Sequence, residues 1–485
     1  MTDTVIVLFS RDLRVHDHPA LAAACERARH VIPLFVADPA VPSGNRWGFL
    51  SECLADLRES LRERGGDLIV RRGDTITETM RLAGEVGAEA VHASLDVSTF
   101  ARLRQRGLAE ECERARMEYR LFPGLTVVPP DALRPSGGGD HYRVFTPYWR
   151  AWSGRPRREL LKAPGTVPVP RDLFAGPLPE HGGRSYELFP GGETVGRRRM
   201  EQWLRHCVRE YTDGHDDMAG NRTSRLSPYL RFGCVSPLEL ESLAGEAANL
   251  WAAGPADPGG SGESGGVVGL AGDADPAGEA DPSGNARPED DEDPRRAAYA
   301  RAAGEVAAFV RQLCWRDFFY QVTRAFPRMD RDDYRPRGNE WRDDDQAARA
   351  WAEGMTGVPI VDAGMRQLLT EGWMHNRARL ITGSFLVRRL GLDWRVGGDH
   401  FFEHLLDGDV ANNYGNWQWV AGTGNDTRPN RPVNHIRQAR RYDPDGEYVL
   451  RHVPELRAVP KRMIHEPWRL SSPVPGYPPP LVSMG

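Results

Sequence analysis

No CxxC pair surrounds any of the six cysteines, which stand singly at 25, 53, 112, 207, 234 and 314 without histidine partners at metal-ligand spacing. That scatter argues against a disulfide framework, a zinc site or an iron–sulfur cluster, and fits a reducing, cytoplasmic location. No run approaches the roughly 20 apolar residues of a membrane span. The opening "MTDTVIVLFSRD" has an acid and no basic stretch, so it does not read as a signal peptide. The first 130 residues contain neither GxGxxG nor GxxxxGKS, which leaves a dinucleotide fingerprint and a P-loop unsupported there. No internal repeat is evident, and neither a metal nor a membrane is expected as a partner.

What is present is a soluble chain of 485 residues, 40% hydrophobic and 27% charged, with room for two or three domains. Its net charge of -5 conceals an asymmetry. Residues 252–294 hold eleven acids and one arginine, so the remainder stands at +5. A mildly basic body permits a polyanionic partner.

The first 130 residues alternate between two patterns. "TVIVLF" (4–9), "VIPLFVA" (31–37), "DLIVRR" (67–72) and "EAVHAS" (89–94) are short β-branched runs. Segments such as "PALAAACERA", "GFLSECLADLRESLRERG" and "STFARLRQRGLAEECERAR" between them carry helical spacing, with Phe49, Leu50, Cys53, Leu54, Leu57 and Leu61 on one stripe. Such alternation predicts an α/β domain with a parallel, doubly wound sheet over 1–132. Residues 133–195 read as a connector, and from about 150 they are too rich in Pro, Gly and Arg for packed structure. From 196 to 485 helical patterns dominate, which predicts an all-α C-terminal domain. The 252–294 insert interrupts it and is expected to be disordered, because it cannot bury enough apolar surface to offset its ordering entropy.

Eight of the thirteen tryptophans lie between 315 and 468. A single Trp in a helical domain is ordinarily core filler. Here several adjoin arginine or amides, as in "CWRDF", "GWMHNR", "DWRVG" and "GNWQWV", which suggests aromatic walls around a polar cavity where bases or a flavin stack. "DGDVANNYGNWQW" (407–419) packs two acids, three asparagines and two tryptophans into thirteen positions, a composition unlike a helix core or an ordinary loop. In "RTSRLSPYLRFGCVSP" (222–237), Ser227 before Pro228 reads as a helix N-cap. The same hydroxyls and amides also suit a phosphate cradle.

Taken in order, "FSRDLRVHDHPAL", "TSRLSPYL", "RQLCWRDFF", "GVPIVDAGMRQLLTEGWMHNRARL", "DGDVANNYGNWQW", "VPEL" and "HEPW" resemble the photolyase/cryptochrome family over nearly the whole chain apart from the insert. Within it the resemblance is to class I enzymes acting on cyclobutane pyrimidine dimers. It implies an antenna chromophore in the α/β domain, FAD in the helical domain (active as FADH-), and UV-damaged DNA as partner. Tyr211, Thr223, Ser224, Arg225, Leu226 and Ser227 match positions at the FAD phosphates. Arg379 and Asp407 match a buried pair beside the flavin ring, Asp409 another acid near it, and Asn413 the residue facing N5. Trp341, Trp394 and Trp417 match an electron relay from surface to flavin. Trp315 and Trp419 match walls of the pocket for a flipped dimer, Arg316 and Asn376 match contacts to the lesion and its phosphates, and Arg377 neighbours that contact. His375 is either part of that contact or a packed polar residue.

Three departures bear on function. Gln312 stands where enzymes for cyclobutane dimers usually carry glutamate, and Phe309 where the family often has tryptophan. Glutamine at that position is shared with (6-4) enzymes and animal cryptochromes, but (6-4) repair needs histidines where this chain has Asn376 and Leu380. "RPVNHIRQARRYD" diverges from the family's phrasing, and nothing is carried over from it. The expectation is therefore a monomeric cyclobutane-dimer photolyase, with a (6-4) enzyme or a cryptochrome-type sensor as alternatives. The sensor is disfavoured because Asn413 replaces the acid of plant cryptochromes, and only seventeen residues follow "HEPW". For the antenna, 8-hydroxy-5-deazaflavin is favoured over methenyltetrahydrofolate.

Overall fold

Alternating apolar runs and amphipathic helices produce a five-stranded parallel sheet in the order β3-β2-β1-β4-β5. Its strands are β1 (Thr2–Phe9), β2 (Ala28–Ala37), β3 (Ile69–Arg72), β4 (Ala90–Ser94) and β5 (Glu118–Phe122). Helices α1 (Pro19–Arg27), α2 (Trp47–Arg62), α3 (Thr75–Val86) and α4 (Thr99–Arg114) make the crossovers. Successive strand residues point to opposite faces. Val5, Val7 and Phe9 therefore join the core with Leu21, Phe49 and Leu57, whereas Ile6 and Leu8 join that with Leu82 and Leu108. Both faces are covered, as a parallel sheet requires. The fifth strand escaped the sequence reading because "EYRLF" is a partly exposed edge whose Glu118 and Arg120 break the apolar run.

The computed structural model describes residues 2–41, 44–170, 172–179, 187–220, 222–253, 294–425 and 433–484. The acidic segment lies outside these residues except at its ends, where Ala253 closes one helix and Pro294 opens another.

The connector corrects the sequence reading. Its helix α5 (Phe145–Ser153) buries Phe145, Tyr148, Trp149 and Trp152. Farther on, Pro168 accepts from Val31 N (2.8 Å) and Ala175 from Val70 N (2.7 Å). Proline and glycine rule out a helix but leave carbonyls free to accept, so an extended strap packs without forming an element of its own.

Helices then take over: α6 (Glu193–His206), α7 (Tyr211–Gly214), α8 (Ser227–Phe232), α9 (Pro237–Ala253) and α10 (Pro294–Ala325). After α11 (Asp345–Ala352) and α12 (Pro359–Glu371) comes α13 (Asn376–Ser384), which continues into a π-helical turn at Phe385–Leu390. The chain closes with α14 (Trp394–His404), α15 (Val410–Ala421), α16 (His435–Tyr442) and α17 (Glu447–His452). Helix α15 packs against α10, α13 and α14. Among the described residues no helix is long and apolar enough to cross a membrane, and all six cysteines carry free thiols.

Candidate functional site

The stretch 407–419, unlike a helix core in composition, is mostly a buried helix. Asn413, Tyr414, Trp417 and Gln418 of α15 all face inward. Polar side chains are tolerated there because each has a partner. The Gln418 amide donates to Met329 O (2.7 Å) and Asp332 O (2.9 Å) and accepts from Tyr334 N (2.7 Å). Asn413 Nδ2 donates to Gly398 O (2.8 Å), and its Oδ1 takes no donor among the described residues.

Two carboxylates enter this helix, and they differ. Asp407 is gripped by one residue, Arg379, through two parallel bonds of 3.1 and 2.8 Å. A carboxylate has about four acceptor positions, so Asp407 retains acceptor capacity toward a further donor. Asp409 retains none. As N-cap of α15 its Oδ1 accepts from Asn412 N and Nδ2 (both 2.9 Å), while its Oδ2 accepts from Tyr320 OH (2.8 Å) and from Arg11. Burial works against its charge, but Arg11, Arg316, the Asn412 N–H and Arg231 hold it well below the usual carboxylate range. Asp409, expected near the flavin ring, thus spends its side-chain acceptors on protein donors and ties α15 to the loop after β1.

Arg11 arrives from the loop after β1, where "SRDLRVHDH" docks the helical domain. It also pairs with Asp96 (3.2 Å), in the loop after β4, and donates to Arg231 O (3.3 Å). Leu13 N bonds Phe232 O (3.1 Å), and Arg14 Nη1 bonds Gly233 O (3.0 Å). Gly233 closes α8 at φ +68°, and a Cβ there would overlap the Arg11 carbonyl. Strands β1 and β4 flank the point where strand order reverses, the usual ligand crevice of such sheets. Here these loops grip the helical domain.

Arg316, expected at the lesion and its phosphates, is also bound internally. Its guanidinium donates inward to Leu125 O and to Tyr320 OH (3.2 Å), and it lies over the Tyr320 ring at 4.6 Å. Those internal bonds tie it to the domain junction.

The segment 223–227 also departs from expectation. Leu226 flanks α8 without a side-chain cap, and Ser227 is the first helical residue, its hydroxyl accepting from Trp373 Nε1 (3.3 Å). Ser224 Oγ accepts from Leu226 N (3.4 Å). Arg225 adopts φ +50° and rests over the Trp373 ring at 4.5 Å. Thr223 Oγ1 and Arg225 Nε are buried without a partner among the described residues. Tyr211 and Phe309 meet edge to face (5.6 Å) beside Trp203.

Trp417 is buried on α15, its ring edge-on to Phe401 (4.9 Å) and Trp351 (6.0 Å). Glycine at 397 lets α14 approach, since a Cβ there would overlap the Trp417 ring. Trp394 begins α14, fully buried, with Nε1 on Asp333 Oδ1 (2.9 Å). Trp341 is partly buried, and the next residue, Arg342, bridges to Leu392 just before Trp394. Trp341 thus sits beside the start of α14, and α14 packs on α15, which carries Trp417. Sequence reasoning missed Arg11, Tyr320 and Asp333, whose partners are distant in the chain.

On the outer side Gln312 and Asn376 are exposed, and Trp315, Arg377, Leu380 and Trp419 are half-buried. Trp315 stacks on Phe145 (3.6 Å, 3°), which covers one face of the indole. Arg377 is held by Asp216 (2.5 Å) over the Tyr442 ring. His375 caps α13, accepting from Arg377 N (3.2 Å); burial pushes its pKa down to about 4, so it is neutral and packed.

Two family models match the chain: DNA photolyase over residues 5–168, and the FAD binding domain of DNA photolyase over 309–484. A Streptomyces griseus protein named deoxyribodipyrimidine photo-lyase is 44% identical, covering 96% of this chain and 92% of its own. The chain belongs to the photolyase/cryptochrome family. The cryptochrome DASH of Natronomonas pharaonis is 36% identical over 97% of this chain and 94% of its own. Among solved structures, a bacterial class III photolyase from Agrobacterium tumefaciens superposes with a TM-score of 0.84 at 30% identity, covering 100% of this chain and 95% of that one. A Synechocystis cryptochrome gives 0.82 at 28% identity, covering 99% and 96%.

The residues present fit the FAD that this family's helical domain binds. Thr223 Oγ1 and Arg225 Nε are unspent donors of the kind a diphosphate takes. Asp407 has acceptor capacity for ring N–H groups while Arg379 compensates its charge. Asn413 offers a neutral amide.

Proposed function

We propose that this protein repairs cyclobutane pyrimidine dimers in DNA in a light-dependent reaction, acting as a monomer. When bound, FAD in its reduced state supplies light absorption and the transferable electron. The chain's residues orient and insulate. Arg379 and Asp407 fix the ring edge, Thr223 and Arg225 the phosphates, and Trp341, Trp394 and Trp417 form a relay for recharging. Trp315 and Trp419 wall a pocket for the flipped dimer, with Gln312, Asn376, Arg377 and Leu380 at its rim. Flipping costs a few kcal/mol, least for a damaged pair, and the aromatic walls recover part of it. In the α/β domain, 8-hydroxy-5-deazaflavin is the proposed antenna.

One observation carries the choice of lesion. The rim positions hold amides, an arginine and an aliphatic side chain, and the adjoining His375 is neutral and tied to a helix cap. Splitting a cyclobutane dimer needs an electron to break two C–C bonds and then return, and no proton donor. Chemistry on a (6-4) product needs an acid that these positions do not supply.

The test exposes reduced holoprotein to oligonucleotides carrying either a thymine cyclobutane dimer or a (6-4) product, in blue light and in darkness. Light-dependent repair of the cyclobutane dimer alone is expected. Repair of neither, with FAD bound, would overturn the reading in favour of a photoreceptor, the alternative that the 36% identity to a cryptochrome DASH supports.

A further inference from the structure

Tyr414 stands one turn before Trp417 on α15 and has no role in the reading above. It is buried, yet its phenol donates to Asp399 Oδ1 at 2.7 Å. The other Asp399 oxygen takes Arg331 at 3.1 Å, and the carboxylate is 48% exposed, open to solvent. The Tyr414 ring lies 6.4 Å from that of Trp394, centroid to centroid. No side chain at 398 separates α14 from the phenol: a Cβ there would press on Tyr414 ring carbons at 3.1 Å.

Trp394 is a poor place for a positive charge to rest. The Arg395 guanidinium lies 4.6 Å from its ring centre, over the face. A cation there opposes a second one on the indole. Asp333, which accepts the indole N–H, is already shared with Arg395 at 2.9 Å. A phenol beside an accessible carboxylate is a better terminus, because its charge can leave as a proton.

We propose that Tyr414 is a redox-active side chain that takes over the oxidising equivalent from Trp394. One electron passes from the Tyr414 ring to the Trp394 indole radical cation, and the phenolic proton passes to Asp399 Oδ1. The products are neutral Trp394, a neutral tyrosyl radical and a protonated Asp399 that exchanges with water. The inference rests on the relay reading, in which photoexcited oxidised flavin is the primary oxidant; a thiol reductant from solution restores the phenol. Burial, then Asp399, pushes the Tyr414 phenol above its ordinary range, so the proton stays until the electron goes.

The experiment flashes the holoprotein with its flavin oxidised and follows radicals by transient absorption and electron paramagnetic resonance, with ring-deuterated tyrosine to assign the signal. In the native protein an indole radical is expected to give way to a neutral tyrosyl. Tyr414→Phe is expected to abolish the tyrosyl and prolong the indole radical at least about tenfold, and Asp399→Asn to slow tyrosyl formation by about the same factor. An indole radical that decays identically in the native protein and Tyr414→Phe, with no tyrosyl, overturns this inference alone. Absence of any indole radical overturns the relay and this inference together.

Discussion

Asp407 and Asp409 are separated by one glycine, yet they belong to different regions with different purposes. Around Asp407 a single arginine neutralises the charge and leaves acceptor positions unspent. Around Asp409 four donors from a helix backbone, an asparagine, a tyrosine and the far domain exhaust the carboxylate. The first arrangement leaves room for a further donor, as the proposed flavin contact requires; the second is finished structure. Two identical side chains in one motif therefore cannot be assigned one role, and the deciding quantity is how many acceptor positions remain.

The contrast can be broken by substitution. Asp409→Ala removes one of the two carboxylates paired with Arg11 and the α15 cap, and is expected to cost about 3–5 kcal/mol in urea or thermal unfolding of the full chain. A value near zero would show that the junction is held elsewhere. Asp317 offers an intermediate case. Its Oδ2 accepts from Val128 N and Trp152 Nε1, both at 2.9 Å, but its buried Oδ1 has no hydrogen-bond partner among the described residues. Burial raises its pKa from 3.8 to about 6. The folded state thus favours the protonated acid: its contribution is complete below about pH 4 and is lost as pH rises through about 6. Asp317→Asn should remove this slope, at most about 3 kcal/mol across that window, as read from unfolding curves at each pH. Arg11→Gln keeps some hydrogen bonding and is expected to cost about 2 kcal/mol, less than loss of Asp409 itself.

The smallest stability effect belongs to the ligand-facing region. Asp407→Asn should change unfolding of the apoprotein by less than about 1 kcal/mol, since Arg379 is partly exposed, while weakening FAD retention about tenfold. Flavin stoichiometry after gel filtration checks this. Equal effects on folding and on flavin would erase the distinction between the two acids.

Much of this was legible in the sequence where the signal is local. Four strands, a predominantly helical C-terminal half and the Arg379–Asp407 pair follow from periodicity and from motif resemblance. What resisted is long-range. Asp409 meets Arg11 across 398 residues, and Arg316 turns toward Leu125 rather than outward; no spacing rule relates such positions. Ser227 before Pro228 has the form of an N-cap, yet tertiary packing gives its hydroxyl to Trp373. Strand β5 and the connector hid for a different reason, because edge strands and straps do not need an apolar period.

That strap has a consequence for the protein in a crowded cell. An open parallel sheet exposes two rows of unpaired backbone groups, each a template for another chain. At one margin the connector shields β3, with Ala175 accepting from Val70 N and Arg58 bonding the Gly176 carbonyl at 2.8 Å. At the other, β5 is only five residues long and carries Glu118 and Arg120. One border is stapled shut and the other is short and charged, so neither invites self-association into aggregates.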